Sequence, residues 1–132
     1  MKTVTIDTKQ RNQMIDITSI VEASVRESGI KNGVCYVFVP HTTAAITINE
    51  NADEDVVRDI LSTLSKIIPY KDDYRHMEGN SDAHIKASLM GNTLAVIVDE
   101  GRLILGTWQS LFFCEFDGPR KRKIMIKVAG DK

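Results

Sequence analysis

The seven residues from Gly33 to Val39, Gly-Val-Cys-Tyr-Val-Phe-Val, are apolar on both alternating sets. Strand side chains point by turns to opposite faces, so this run predicts a central strand covered on both sides. A covered strand needs further strands beside it and helices or a second sheet against it, and the rest of the chain has to supply them. Pro40 ends the ladder, because it has no amide proton to donate. Thr43 to Asn49 resumes a strand with Ala44, Ile46 and Ile48 on one face, which leaves His41 and Thr42 in the connection.

The flanking segments fit that demand. Thr3 to Thr8 alternates Val4 and Ile6 with polar residues, and Met14 to Ile17 follows after a polar turn, so the two read as an opening hairpin. Ser19 and Glu22 have capping-box spacing, with Gly29 closing the helix they begin. Asn51 or Asp53 starts the longest helix, whose Val56, Val57, Ile60, Leu61, Leu64, Ile67 and Ile68 recur at three-and-four spacing until Pro69 stops it. Ala83 to Met90, with Gly91 behind it, predicts a shorter helix that has Ser81, Asp82 and His84 at its amino-terminal end, where free amides suit an anion. Thr93 to Val98 and Arg102 to Leu105 flank the turn Asp99-Glu100-Gly101, and Trp108 to Phe116 and Lys123 to Val128 flank Asp117-Gly118-Pro119. The second half is therefore mostly antiparallel sheet.

At 132 residues the chain suits one domain, residues 1–132, able to bury roughly two thirds of its unfolded surface. Seventeen basic residues against eighteen acidic ones argue against nucleic-acid or membrane binding driven by net charge. The basic cluster Arg120 to Lys123 reads as a solvated turn and strand start, with a nucleic-acid patch as the alternative, and could still steer an acidic ligand. No stretch approaches the ~18 apolar residues of a membrane span. Cys35 and Cys114 sit in apolar runs without metal or redox spacing, which predicts buried free thiols and a cytoplasmic setting.

Chemistry concentrates between Tyr74 and His84, where two of the three histidines, two acids, an arginine and an asparagine occupy eleven positions with almost nothing for a core. With His41 they define a candidate three-imidazole metal site that keeps one coordination position open, the plain alternative being three unrelated surface or core histidines. Zinc suits such ligands first, with magnesium, nickel or iron as alternatives. Glu78, Asp82 and Glu50 are the candidate catalytic acids, able to orient an imidazole or take a proton from bound water. The plain alternative is that Glu78 and Asp82 hold the loop through turn hydrogen bonds. A second cluster offers candidate substrate-binding groups: Arg102 as a fork for phosphate or carboxylate, Trp108 as a flat surface, with Thr107, Gln109, Asn49, Thr42 and Thr43 nearby. A buried structural tryptophan is the plain reading of Trp108.

Three long motifs carry a resemblance. They are His41-Thr-Thr-Ala with Ile-Thr-Ile-Asn-Glu-Asn-Ala-Asp behind it, His76-Met-Glu-Gly-Asn-Ser-Asp-Ala-His-Ile-Lys, and Gly101-Arg-Leu-Ile-Leu-Gly-Thr-Trp-Gln-Ser-Leu. In these the sequence resembles the YjbQ-like, or secondary thiamine-phosphate synthase, family over nearly its whole length. The resemblance implies an α+β fold, antiparallel β-sandwich-like sheets with helices packed on one side, and a homotrimer with sites at or near subunit interfaces. It implies a transferase that joins a hydroxymethylpyrimidine diphosphate to a thiazole phosphate and releases pyrophosphate. A metal-dependent hydrolase, or a non-enzymatic trimer binding a small anionic ligand, would use the same residues.

Overall fold

The computed structural model describes residues 1–132. In chain order the elements are β1 (Lys2–Asp7), β2 (Gln13–Asp16), α1 (Thr18–Ser28), β3 (Gly33–Phe38), β4 (Ala44–Glu50), α2 (Glu54–Ile67), α3 (Ser81–Met90), β5 (Thr93–Asp99), β6 (Arg102–Leu103), β7 (Gln109–Glu115) and β8 (Lys121–Gly130). A five-stranded sheet has the order β1-β8-β3-β5-β6, and a three-stranded sheet has the order β2-β7-β4. Every pairing is antiparallel.

The main core lies between the two sheets. Cys35, Val37, Ile124 and Ile126 from the larger sheet meet Ile46, Leu111 and Phe113 from the smaller, and Val21 and Val25 of α1 close the same cluster. The other face of the smaller sheet, with Ala45, Phe112 and Cys114, packs against Ala83 and Ala87 of α3 and against Val57, Leu61 and Leu64 of α2. The expected α+β arrangement of two antiparallel sheets with packed helices is thus the observed one, with α2 and α3 on one side and α1 closing the core between the sheets. The alternation in β7 explains how one short strand serves two cores: Leu111 and Phe113 face inward while Phe112 and Cys114 face the helices. Both cysteines are buried free thiols, and burial pushes Cys35 up to about 11 and Cys114 up to about 12. No helix is long and apolar enough to cross a membrane.

Three local expectations fail for physical reasons. β1 and β2 do not form a hairpin, because β1 pairs with β8 and β2 with β7, so the chain changes sheets between Thr8 and Asn12. The capping box at Ser19 is not used. α1 begins at Thr18 after Ile17, and Asp16 accepts from the Thr18 amide at 2.9 Å and the Thr18 hydroxyl at 2.6 Å. β3 is covered on one face only, since Tyr36 and Phe38 are 43% and 41% exposed. By contrast α1 stops at Gly29 as predicted, with φ 69° in the left-handed region, and Asp53 caps α2 by accepting from the Asp55 amide at 2.9 Å.

Candidate functional site

Where β3 ends, Pro40 releases the chain into a connection that carries His41, Thr42 and Thr43 before β4 starts. Two other segments reach the same place. The loop into α3 brings His76, Glu78 and Asn80, bending at Gly79 with φ 80°, and His84 projects from the helix itself. The β7–β8 turn brings Asp117 and Arg120, and the start of β8 brings Arg122. That turn needs glycine at position 118, because a Cβ there would lie 2.4 Å from the Gln10 carbonyl oxygen and 2.8 Å from Thr8 Oγ1. Together these residues line a cleft of about 480 Å³, polar apart from Pro40, and a smaller hollow of about 260 Å³ adjoins it at His41, Thr42 and His84.

A buried ion network forms the floor. Glu115, fully buried, accepts from Arg122 Nε at 2.9 Å and more closely from Nη2, and from the Thr8 hydroxyl at 2.8 Å. Arg122 Nη2 also donates to Thr43 Oγ1 at 2.8 Å. Burial alone would raise the Glu115 carboxyl, but the Arg122 guanidinium, the Asp117 amide and the Thr8 hydroxyl outweigh it and hold the group below the ordinary glutamate range. On the rim Asp117 accepts from Asn80 Nδ2 at 2.9 Å and from Arg120 Nη2 at 3.0 Å.

All three histidines therefore meet in one cleft. The His76 and His84 rings lie 5.3 Å apart, edge to face, and Glu78 approaches His76 Nε2 to 3.9 Å. They do not form a three-imidazole ligand set. No group of three or more histidine, cysteine or acidic side chains has metal-binding geometry, and His41 Nε2 is engaged as acceptor of the Lys123 amide at 2.9 Å. A neutral imidazole that accepts at Nε2 carries its proton at Nδ1, so His41 presents no lone pair for a cation in this conformation. Burial, then the charge of Arg122, holds His41 below the ordinary histidine range, with Glu115 opposing.

Of the other predicted residues, Thr42, Thr43 and Glu78 are at the cleft. Asp82 is not available as a base. Its carboxylate is fully buried, gripped by Arg11 at 2.9 and 3.0 Å, with Lys86 at 3.4 Å. Asn49 and Glu50 close the far end of β4, paired with Ser110 and Gln109. They lie five and six positions along the strand from Ala44, so they stand roughly 17–20 Å from the histidine end. Arg102 pairs with Asp99, likewise at the far end of β5 from Thr93. Trp108 is 63% exposed, hence no core residue, and Gln109 Oε1 accepts from the Gly106 amide at 2.7 Å. Thr107 and Trp108 lie in the connection leading into β7 and Gln109 begins that strand, away from the cleft within the same chain. A wider hollow of about 610 Å³ does occur near that end, beside Ser110 and the start of α1. Its Asp16 is already bonded to Thr18 and Asn51, and no histidine reaches it.

Arg120 and Arg122, expected only as part of a solvated basic turn that could steer an acidic ligand, are residues of the site itself. The signal was present in the alternation of β8, where Arg122 shares the inward set with Ile124 and Ile126, and in Glu115, a lone acid in an apolar strand.

The molecule thus belongs to the two-sheet α+β proteins that place a polar, histidine- and arginine-lined cleft at one end of the sheets. The sequence model of the UPF0047 protein YjbQ-like family matches residues 2–131, and the chain belongs to that family. It is 53% identical to the UPF0047 protein YugU of Bacillus subtilis over 131 residues, 98% of this chain and 99% of that one. A UPF0047 protein of Methanocaldococcus jannaschii is 50% identical over 127 residues, covering 96% and 92%. Among solved structures, a yjbq/upf0047-family protein from Clostridium acetobutylicum superposes with a TM-score of 0.96 at 54% identity, covering 98% of this chain and all of that one.

Proposed function

We propose that the histidine cleft binds a small phosphate-bearing ligand and that the protein is a transferase of the thiamine-phosphate synthase type. Its substrates would be a hydroxymethylpyrimidine diphosphate and a thiazole phosphate. The observation that carries this reading is the convergence of three imidazoles and two guanidinium groups on one polar hollow of about 480 Å³, within the size range of small-ligand sites. In such a reaction the thiazole nitrogen forms a bond to the methylene carbon, and the carbon–oxygen bond breaks with its electron pair leaving on the diphosphate. Positioned donors that meet this developing charge supply the main acceleration. Arg120, Arg122, Thr42 and the imidazoles are suited to that task, and His76, with Glu78 beside it, can hand a proton to the departing diphosphate. As oriented, His41 does not complete a ligand set for a metal.

The same proposal includes a homotrimer. Trp108, Gln109, Thr107, Arg102, Asn49 and Glu50 stand too far from the cleft of their own chain to touch a ligand there, so a substrate-binding role for them requires a neighbouring copy.

The test is calorimetry with pyrophosphate, followed by product analysis with both substrates. Parent protein is expected to bind pyrophosphate, and His84→Ala and Arg120→Ala each to weaken it about tenfold. Binding without product would leave a non-enzymatic anion binder. Absence of binding would end the phosphate reading.

A further inference from the structure

β3 pairs with β8 only as far back as Phe38 opposite Met125, so the first residues of β8 run on without it. There the Lys123 amide has the His41 ring as its acceptor. One residue earlier Arg122, 3% exposed, spends Nε and Nη2 on Glu115 and Thr43. Its Nη1 has no protein acceptor and is not fully buried, and Arg122 is among the residues lining the cleft. Backbone and side chain of two consecutive residues therefore prepare two donors. His41 is held in the tautomer with its proton on Nδ1, and Arg122 keeps two N–H bonds on Nη1 for whatever enters.

The geometry points to a metal-free oxyanion cradle made of His41 Nδ1–H and Arg122 Nη1, fixed by the Lys123 amide and by Glu115, that receives a phosphate oxygen. This rests on the phosphate reading of the cleft and adds which groups grip the anion and that no cation mediates the grip. Arg122 is already charge-matched by Glu115. What it contributes is therefore direction, two N–H bonds held still by a buried partner, more than net positive charge. His41 contributes as a neutral donor, which is why its engagement by a backbone amide matters: that bond exists only while Nε2 keeps its lone pair. Thr43 ties the two together, since it follows His41 by two residues and its hydroxyl accepts from Arg122 at 2.8 Å.

The experiment combines imidazole nitrogen NMR on the 15N-labelled protein with pyrophosphate calorimetry, in EDTA and separately with added zinc. His41 is expected in the Nδ1–H tautomer with and without pyrophosphate. The dissociation constant is expected to be the same in EDTA as with zinc. Arg122→Lys, which keeps a cation beside Glu115, should weaken pyrophosphate about tenfold to a hundredfold. The tautomer measurement needs no variant, so a poorly folded Arg122→Lys does not remove the test. If the parent fails to bind pyrophosphate, the phosphate reading and the cradle fall together. If it binds but His41 carries its proton on Nε2, or zinc shifts the His41 nitrogens as a ligand, or EDTA abolishes binding, or Arg122→Lys binds like the parent, the cradle alone is overturned.

Discussion

Glu115 is a carboxylate with no solvent contact, kept ionised by one guanidinium, one amide and one hydroxyl. Because its folded pKa is depressed, it binds fewer protons in the native than in the unfolded state as acid is added. Its stabilisation is thus complete above the ordinary glutamate value of ~4.3 and is lost as pH falls through the lower folded value. Thermal melts should show the parent losing stability below about pH 4. Glu115→Gln should be less stable at pH 7 by about 3 kcal/mol, since Arg122 is left buried without its counter-charge, and should show a flatter acid limb. An equal acid limb in the two proteins would remove Glu115 from this account. At this scale the sequence was only partly legible. The three histidines were readable as a set because each falls in a polar segment at an element end. Asp82 misled, because nothing local announces that Arg11, distant in the chain, takes both its oxygens. His41 was readable as functional, but not as the acceptor of an amide from β8.

Among the elements, α3 depends most on charges placed out of water. Asp82 and Lys86, one turn apart on its buried side, face Arg11 and the Asn12 side-chain carbonyl, with Arg11 itself stacked 3.8 Å over Tyr70. Burial works against both charges. For Asp82 the Arg11 and Lys86 partners outweigh it, so its pKa falls, whereas for Lys86 burial dominates and the pKa also falls. Removing one member is therefore worse than removing both. Asp82→Ala should cost about 3–5 kcal/mol in chemical denaturation, and adding Lys86→Met should recover part of that loss. A double variant no better than Asp82→Ala would show that the ions act independently. Most elements were legible from period and punctuation: Pro40, Pro69, Gly29 and Gly91 stand where strands or helices stop. Pairing was not. Alternation in β1 and β2 indicates strands without naming their partners, and their true partners lie more than ninety positions onward, at β8 and β7. The half-exposed face of β3 was equally hidden, because apolar side chains on both faces do not say what covers them.

For the whole molecule, the long axis of the sheets separates two groups of polar residues that read as one site in the sequence. The histidine cleft occupies the end where β4 and β5 begin, and Arg102, Trp108, Gln109 and Glu50 occupy the end where β4 and β5 finish. If both groups serve one reaction, different copies of the chain must provide them. Sedimentation should then give three times the mass of one chain, 14.8 kDa. Mixed oligomers of His84→Ala and Trp108→Ala chains should regain part of the activity that each homogeneous variant lacks. Failure of mixing to restore any activity, with exchange of chains verified, would confine the site to one copy. The position of β8 has a further consequence for how such a molecule comes into being. It is inserted between β1 and β3, both synthesised far ahead of it, and it alone delivers Arg122 and the Lys123 amide to His41. A ribosome-bound chain that has emerged only through β7 therefore shows two bare hydrogen-bonding edges and no anion pocket. Nascent copies are exposed to chaperones and to mispairing until translation reaches this strand.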